Sequence, residues 1–237
     1  MTKDLFSALI PLPRTVIHVG GIDAESFLQG LVSNDVTLLH NQVSIFACLL
    51  SPQGKFLHEI FIIKDINGGF YLETEESKPD HDLATLLIRY KLRKQVTITP
   101  RPDMAVMAGA ISSSRDIIAY PDTRHPDMPG RALVLNRDDI KTTGSFDDWD
   151  ETRIRLGVPD GTRDAGIGIS TLEELNLTRL NAVSFTKGCY LGQELTARMQ
   201  NRNLGKRHLQ TVRLDNIPND AELRSSCRGW GLALIRD

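Results

Sequence analysis

The stretch that decides the fold reads VSIFACLLSPQGKFLHEIFIIKDINGGFYLETE, residues 43–75. Three apolar runs in it, Val43 to Leu50, Phe56 to Lys64 and Phe70 to Glu73, are separated by Ser51-Pro52-Gln53-Gly54 and by Asn67-Gly68-Gly69. Proline presets one backbone angle and glycine permits the angles that tight turns demand, so the runs predict an antiparallel meander.

Upstream, Thr15 to Val19 alternates as a strand, Gly20-Gly21 turns the chain, and Asp23 is placed to cap a helix through Leu31. Ala24, Phe27, Leu28 and Leu31 share one face of that helix. Downstream, Ser77 and Pro79 open a helical stretch ending near Arg93, in which Leu83, Leu86, Leu87 and Tyr90 form one apolar stripe facing a sheet. Gln95 to Thr99, Met104 to Ile111, Asp116 to Tyr120 and Arg131 to Leu135 predict further strands, with a proline-rich loop from Pro121 to Gly130.

Ser145 caps a helix from Phe146 to Leu156, with Asp147 and Asp148 in the first turn where negative charge suits the dipole, and Gly157 stops it. A glycine-rich loop from Val158 to Gly168 leads to a short helix around Leu172 to Leu177, and strands return at His208 to Leu214 and Trp230 to Ile235. No internal repeat interrupts this order, so the fold class is α+β with antiparallel sheets and packed helices.

A chain of 237 residues with 41% hydrophobic and 24% charged content can build one elaborate domain or two smaller ones. Its formal net charge of −2 supplies no global field for nucleic acid or anionic lipid. Cys48, Cys189 and Cys227 are an odd, scattered set, without the paired spacings of a disulfide framework or zinc site. No apolar run approaches the roughly 20 residues of a membrane span. The start from Met1 to Pro13 is short and broken by proline, unlike a signal peptide. These features predict a cytoplasmic protein, a monomer with no membrane or direct nucleic-acid partner and no resident metal.

Lys187-Gly188-Cys189-Tyr190-Leu191-Gly192-Gln193-Glu194 places a thiol between two glycines, two residues after a lysine. Leu195 and Met199 lie four apart, so a helix starts near Gly192 and directs its first amides toward the turn. Those amides and Lys187 favour thiolate, which attacks electrophiles or holds a soft metal. The residues alone equally allow a small side chain that merely fills a turn. Cys48 stands in an apolar run, where packing accounts for it. Three scattered cysteines cannot supply the roughly four ligands of a permanent iron–sulfur cluster, but one exposed thiolate can meet a cluster held by another protein.

The same eight residues resemble the K-G-C-x-x-G-Q-E signature of the YgfZ family, relatives of the glycine cleavage T-protein. The resemblance runs on through Thr196 to Met199, back through Leu180 to Phe185, and into Gly21 to Ala24, Phe27 to Gly30, Ser33 to Val36 and Leu50 to Lys55. Arg89 to Arg93 and Arg155 to Pro159 match further blocks, so it covers most of residues 14–207.

It implies a T-protein-like folate-binding region over residues 1–205, with a shortened C-terminal barrel-like segment over 206–237. It implies tetrahydrofolate, or a one-carbon derivative, as cofactor. The implied role is assembly or repair of 4Fe–4S client proteins, including radical tRNA-modifying enzymes, or service to cluster carrier proteins. Cys189 and Lys187 are the implied chemical residues. Folate contacts are carried onto Glu174, Glu59, Arg155, Asn34, Asp35, Arg93, Tyr190, Gln193, Glu194 and Arg198. Arg155 replaces the glutamate of the family's R-x-E-x-G block, Leu172 replaces a proline before Glu174, and Glu59 stands where an aspartate is usual. A carboxylate suits a pterin edge because it accepts two parallel N–H bonds.

Three other readings compete. An aminomethyltransferase of glycine cleavage would need acids near the folate, and the cysteine signature argues against it. A thiol enzyme would need a base, for which His18, His40, His58, His81, His125 and His208 offer no diagnostic spacing. Arg198, Arg202, Lys206 and Arg207 form a basic cluster without the aromatic interleaving of a nucleic-acid surface.

Overall fold

In the computed structural model, which describes residues 8–76, 81–135, 141–202 and 205–236, the chain forms twelve strands and four α-helices among the described residues. β1 (Ile10–Leu12) and β2 (Arg14–Gly20) lead into α1 (Ala24–Gln29) and a 3-10 turn at Val36–His40. The meander follows as β3 (Ser44–Leu50), β4 (Phe56–Lys64) and β5 (Phe70–Glu75). After α2 (Leu83–Lys91), β6 (Thr97–Pro100) completes a five-stranded antiparallel sheet ordered β3-β4-β5-β2-β6.

Every residue of β3 is buried, although a strand sends alternate side chains to opposite faces. Ile45, Ala47 and Leu49 enter a core with Phe27, Leu28, Leu83 and Leu87 of the helices. Phe46, Cys48 and Leu50 enter a second core with Val106, Leu133 and Trp149. A sheet covered on both faces has no solvated side to encode, so its sequence loses the polar alternation.

The second core is closed by a four-stranded sheet in which β7 (Met104–Ala108), β8 (Ile117–Tyr120) and β9 (Arg131–Leu135) join β1 in the order β1-β7-β9-β8. Then come α3 (Phe146–Arg155) and α4 (Gln193–Arg202). The last sheet, ordered β10-β12-β11, contains β10 (Arg207–Arg213), β11 (Glu222–Cys227) and β12 (Trp230–Arg236). Its Leu209, Leu232 and Leu234 are buried in the same core as Trp149. No described helix is long and apolar enough to cross a membrane.

Ser145 caps α3 in a reciprocal box with Asp148, and Gly157 at φ +72° ends the turn, both as the sequence predicts. Other elements differ. α1 stops at Gln29, and Asp23 does not cap it, because the Asp23 carboxylate accepts the Gln95 N–H at 2.7 Å instead. Ser77 and Pro79 lie outside the described residues; within them α2 begins at Leu83, capped by Asp82, whose Oδ2 accepts the Thr85 N–H at 2.8 Å. Leu172 to Leu177 makes successive turns rather than a helix. Asn176 sits there at φ +57°, a left-handed conformation incompatible with the α ladder, and donates to Leu209 O at 2.7 Å.

Candidate functional site

Gly54 and Gly192 set the position of the cysteine segment. Their φ angles are +79° and +77°. A Cβ on Gly192 would lie 2.4 Å from Ser51 O, and one on Gly54 would lie 2.7 Å from Gly192 O. Only glycine lets the β3–β4 turn and the start of α4 touch backbone to backbone. Farther back, Ser33 ties the segment to β3: its Oγ donates to Ala182 O at 2.5 Å and accepts the Cys48 N–H at 2.8 Å.

The residues around Cys189 are pinned on both sides. Lys187 Nζ donates to Gln29 O, Val32 O and Asn34 O at 2.8, 2.7 and 2.8 Å. The Leu191 N–H donates to Gly30 O at 3.1 Å, and the Tyr190 N–H to Gln193 Oε1 at 3.1 Å. Gln29 O is the last carbonyl of α1, so the ammonium satisfies a group the helix leaves without a partner and opposes the dipole, while Val32 O and Asn34 O lie in the chain just beyond it. Burial brings the Lys187 ammonium down to about 8, against the pull of Asp35, so the amine still carries its proton at neutral pH. Lys187 thus braces the loop through carbonyls, and no hydrogen bond or ion pair joins it to the thiol among the described residues. Tyr190 lies against it, with Nζ 5.1 Å from the ring centroid, and burial pushes the phenol up to about 12.

Of the three thiols only Cys189 is exposed. Cys48 is sealed in the core, where burial and then the charge of Glu59 push its thiol well up. Cys227 is half-buried, and burial together with nearby acids raises it as well. No histidine is hydrogen-bonded to Cys189 among the described residues. His58, the most enclosed imidazole, is held neutral by burial at about 4.

The residues carried over for tetrahydrofolate fall into separate groups: Asn34, Asp35, Tyr190 and Gln193 gather around Lys187, and the others lie elsewhere. Glu59 is 2% exposed; its Oε1 accepts from Arg14 Nη2 at 2.6 Å, and Arg124 stands 3.8 Å from its Oε2. Arg14 also meets Asp160 at 2.6 Å. Burial disfavours the charge on Asp160, but Arg14, Arg153 and Arg163 outweigh it and draw the carboxyl below its ordinary value. Arg131 bridges Glu73 and Asp122, and Arg124 meets Asp122 at 2.7 Å. This buried network compensates its charges internally. The sequence gives little notice of it, since Arg14, Glu73, Asp122 and Arg131 stand on separate strands and a loop, far apart along the chain.

Glu174 Oε2 accepts from Thr171 N and Oγ1 at 2.9 and 3.0 Å. Arg155 lies on α3 with its guanidinium 5.2 Å from the Trp230 ring and 3.5 Å from Glu151. Asn34 Nδ2 donates to Phe46 O and Asn181 O, each at 2.8 Å, and Asp35 Oδ1 caps the 3-10 turn through Thr37. Arg93, Glu194 and Arg198 are exposed. Asn34 lines one cavity of about 330 Å³ and Arg93 another of about 610 Å³, and the two share no residue. Of the two carboxylates carried over for a pterin edge, Glu59 is already engaged by guanidinium groups, and Glu174 has its Oε2 taken by Thr171.

The chain is 30% identical over 258 residues to the iron-sulfur cluster assembly factor IBA57 homolog, mitochondrial, of Cryptococcus neoformans, covering 90% of this chain and 67% of that protein. It belongs to the IBA57 family. The human iron-sulfur cluster assembly factor IBA57, mitochondrial, is 33% identical over 236 residues, covering 86% of this chain and 66% of that protein. The Neurospora crassa homolog is 27% identical, covering 87% and 53%. The chain therefore spans about half to two thirds of the length of these curated IBA57 relatives. No family model matches the sequence.

Among solved structures, aminomethyltransferase T of the glycine cleavage system from Bartonella henselae superposes with a TM-score of 0.74 over 98% of this chain and 80% of that one, at 13% identity. This IBA57-family chain thus has the T-protein fold expected from the sequence. The cytoplasmic expectation is overturned: the human, Neurospora and Cryptococcus relatives are all named as mitochondrial.

Proposed function

We propose that the chain serves iron–sulfur cluster assembly by presenting Cys189 Sγ to a cluster, or to the protein that carries one. The observation behind this reading is the one exposed thiol of the chain, held between anchored neighbours at Lys187 and Leu191. When Sγ coordinates iron, its proton passes to solvent as the sulfur–iron bond forms. One thiolate supplies one of about four ligands, so the rest come from the partner and the contact is transient. The cluster is cargo in this scheme. The clients proposed are 4Fe–4S proteins, with radical tRNA-modifying enzymes as a class to test, and the use of the signature cysteine is shared with the YgfZ type that the sequence resembles.

The test is transfer from a cluster-loaded carrier protein to an apo 4Fe–4S enzyme, with wild type and Cys189→Ser compared. Loss of transfer with unchanged folding supports the proposal, and full transfer by the variant overturns it. Titration with tetrahydrofolate is the companion measurement. With Glu59 held by Arg14, no saturable binding is expected, and no steady turnover of aminomethylated carrier protein. Saturable binding would restore the folate reading that the aminomethyltransferase fold suggests.

A further inference from the structure

A hollow of about 610 Å³ lies between α1 and the end of α2. Its apolar lining comes from Phe27, Tyr90 and Leu92. Its rim carries Lys91, Arg93 and Lys94, with the exposed Arg89 one turn behind. None of these four cations takes an ion pair among the described residues; Lys94 Nζ donates only to Ser26 Oγ, at 3.1 Å. Unpaired like charges around an apolar hollow repel one another in the free protein, and an anionic occupant relieves that repulsion.

The tip of this rim is strained. Lys91 O accepts the Lys94 N–H at 2.9 Å, closing a turn whose first central residue, Leu92, has φ 45° and ψ −115°. Those are the angles of a type II′ turn, a place that glycine normally takes because a Cβ clashes there. Leu92 is 87% exposed, so no burial compensates the strain. An apolar side chain held in solvent at a conformational cost is available for contact with a partner.

The hollow also shares a wall with the cysteine loop. Gly30 lines it, and Gly30 O is the acceptor of Leu191 N, two residues beyond Cys189. We infer that this hollow docks an acidic segment with an apolar side chain on the same protein that meets Cys189, the side chain entering beside Phe27, Tyr90 and Leu92 and the carboxylates lying on the cationic rim. The inference rests on the proposed function for its choice of partner.

The probe is a short fluorescein-labelled peptide of glutamate and leucine, followed by anisotropy against the full chain. Controls are a lysine–leucine peptide, a glutamate–serine peptide, and vesicles of phosphatidylglycerol and phosphatidylcholine. Saturable binding of the first peptide alone is expected, weakening with salt. Lys91→Glu combined with Arg93→Glu should weaken it about tenfold or more, since each rim charge then repels the ligand. Leu92→Gly should weaken binding several-fold while raising the Tm, a combination that misfolding cannot produce.

Equal binding of the lysine peptide, indifference to the charge reversals, or a preference for vesicles overturns the docking site. Cys189→Ser should bind the peptide like wild type. Absent peptide binding with Cys189-dependent cluster transfer intact removes the docking site alone; intact peptide binding with transfer indifferent to Cys189 removes the thiol reading and the choice of partner.

Discussion

Replacing Lys187 by methionine keeps the aliphatic stem and deletes the ammonium that gathers Gln29 O, Val32 O and Asn34 O. A hydrogen bond to a charged group contributes about 1.5 kcal/mol at the low end, so three contribute about 4.5 kcal/mol. Ordering the flexible lysine side chain offsets about 1.5–2 kcal/mol of that. A net loss of about 2.5–3 kcal/mol follows, a large share of a typical domain's stability. Urea unfolding at pH 7 should show the midpoint falling by about 1 M. Hydrogen exchange should report faster opening at the Leu191 amide, whose acceptor Gly30 O adjoins the vacated carbonyls. Lys187→Arg should not rescue, because a planar guanidinium cannot aim donors at three carbonyls converging on one point. A loss below about 0.5 kcal/mol with Leu191 still protected would refute the bracing role.

Gly192→Ala places a Cβ 2.4 Å from Ser51 O at φ +77°. It should cost about 2 kcal/mol or more, a fall in Tm of about 4–8 °C by thermal melts. His58 ionises at about 4 in the folded chain against an ordinary 6.5. The unfolded state therefore binds the proton first, and stability present above pH 6.5 falls by about 3 kcal/mol as pH drops through 4. His58→Leu should flatten that part of a stability–pH curve by the same amount. Maleimide at neutral pH should label Cys189 in the native protein and Cys48 only after unfolding, as read by peptide mass spectrometry.

The meander was readable because Pro52, Gly54, Gly68 and Gly69 mark its turns, and the unbroken apolar run of β3 reports a sheet with two covered faces. β11 was not, since Glu222 to Cys227 is largely polar and pairs on one side only, leaving no periodic burial to betray a strand. At the site, two glycines flanking a cysteine announce a constrained turn. The destination of Lys187 is hidden: its acceptors are backbone carbonyls more than 150 residues earlier, and carbonyls carry no sequence signature. The same applies to Glu59, whose acidic character suggests a ligand contact until Arg14, on another strand, is seen beside it.

The sign of one substitution separates those two views of Glu59. An acid kept for a ligand is a buried charge that the free protein must tolerate, so neutralising it stabilises the protein and abolishes binding. An acid paired within the fold behaves oppositely, because Glu59→Gln leaves Arg14 short of a partner. Breaking a buried ion pair costs about 3–5 kcal/mol. Arg14 keeps Asp160 at 2.6 Å and Glu73 at 3.7 Å, which lowers the expected loss to about 2–3 kcal/mol. Urea unfolding that finds Glu59→Gln more stable than wild type would return Glu59 to the list of ligand contacts. A loss of the expected size, with cluster transfer unaltered at a permissive temperature, makes Glu59 a member of the fold's buried ion-pair frame.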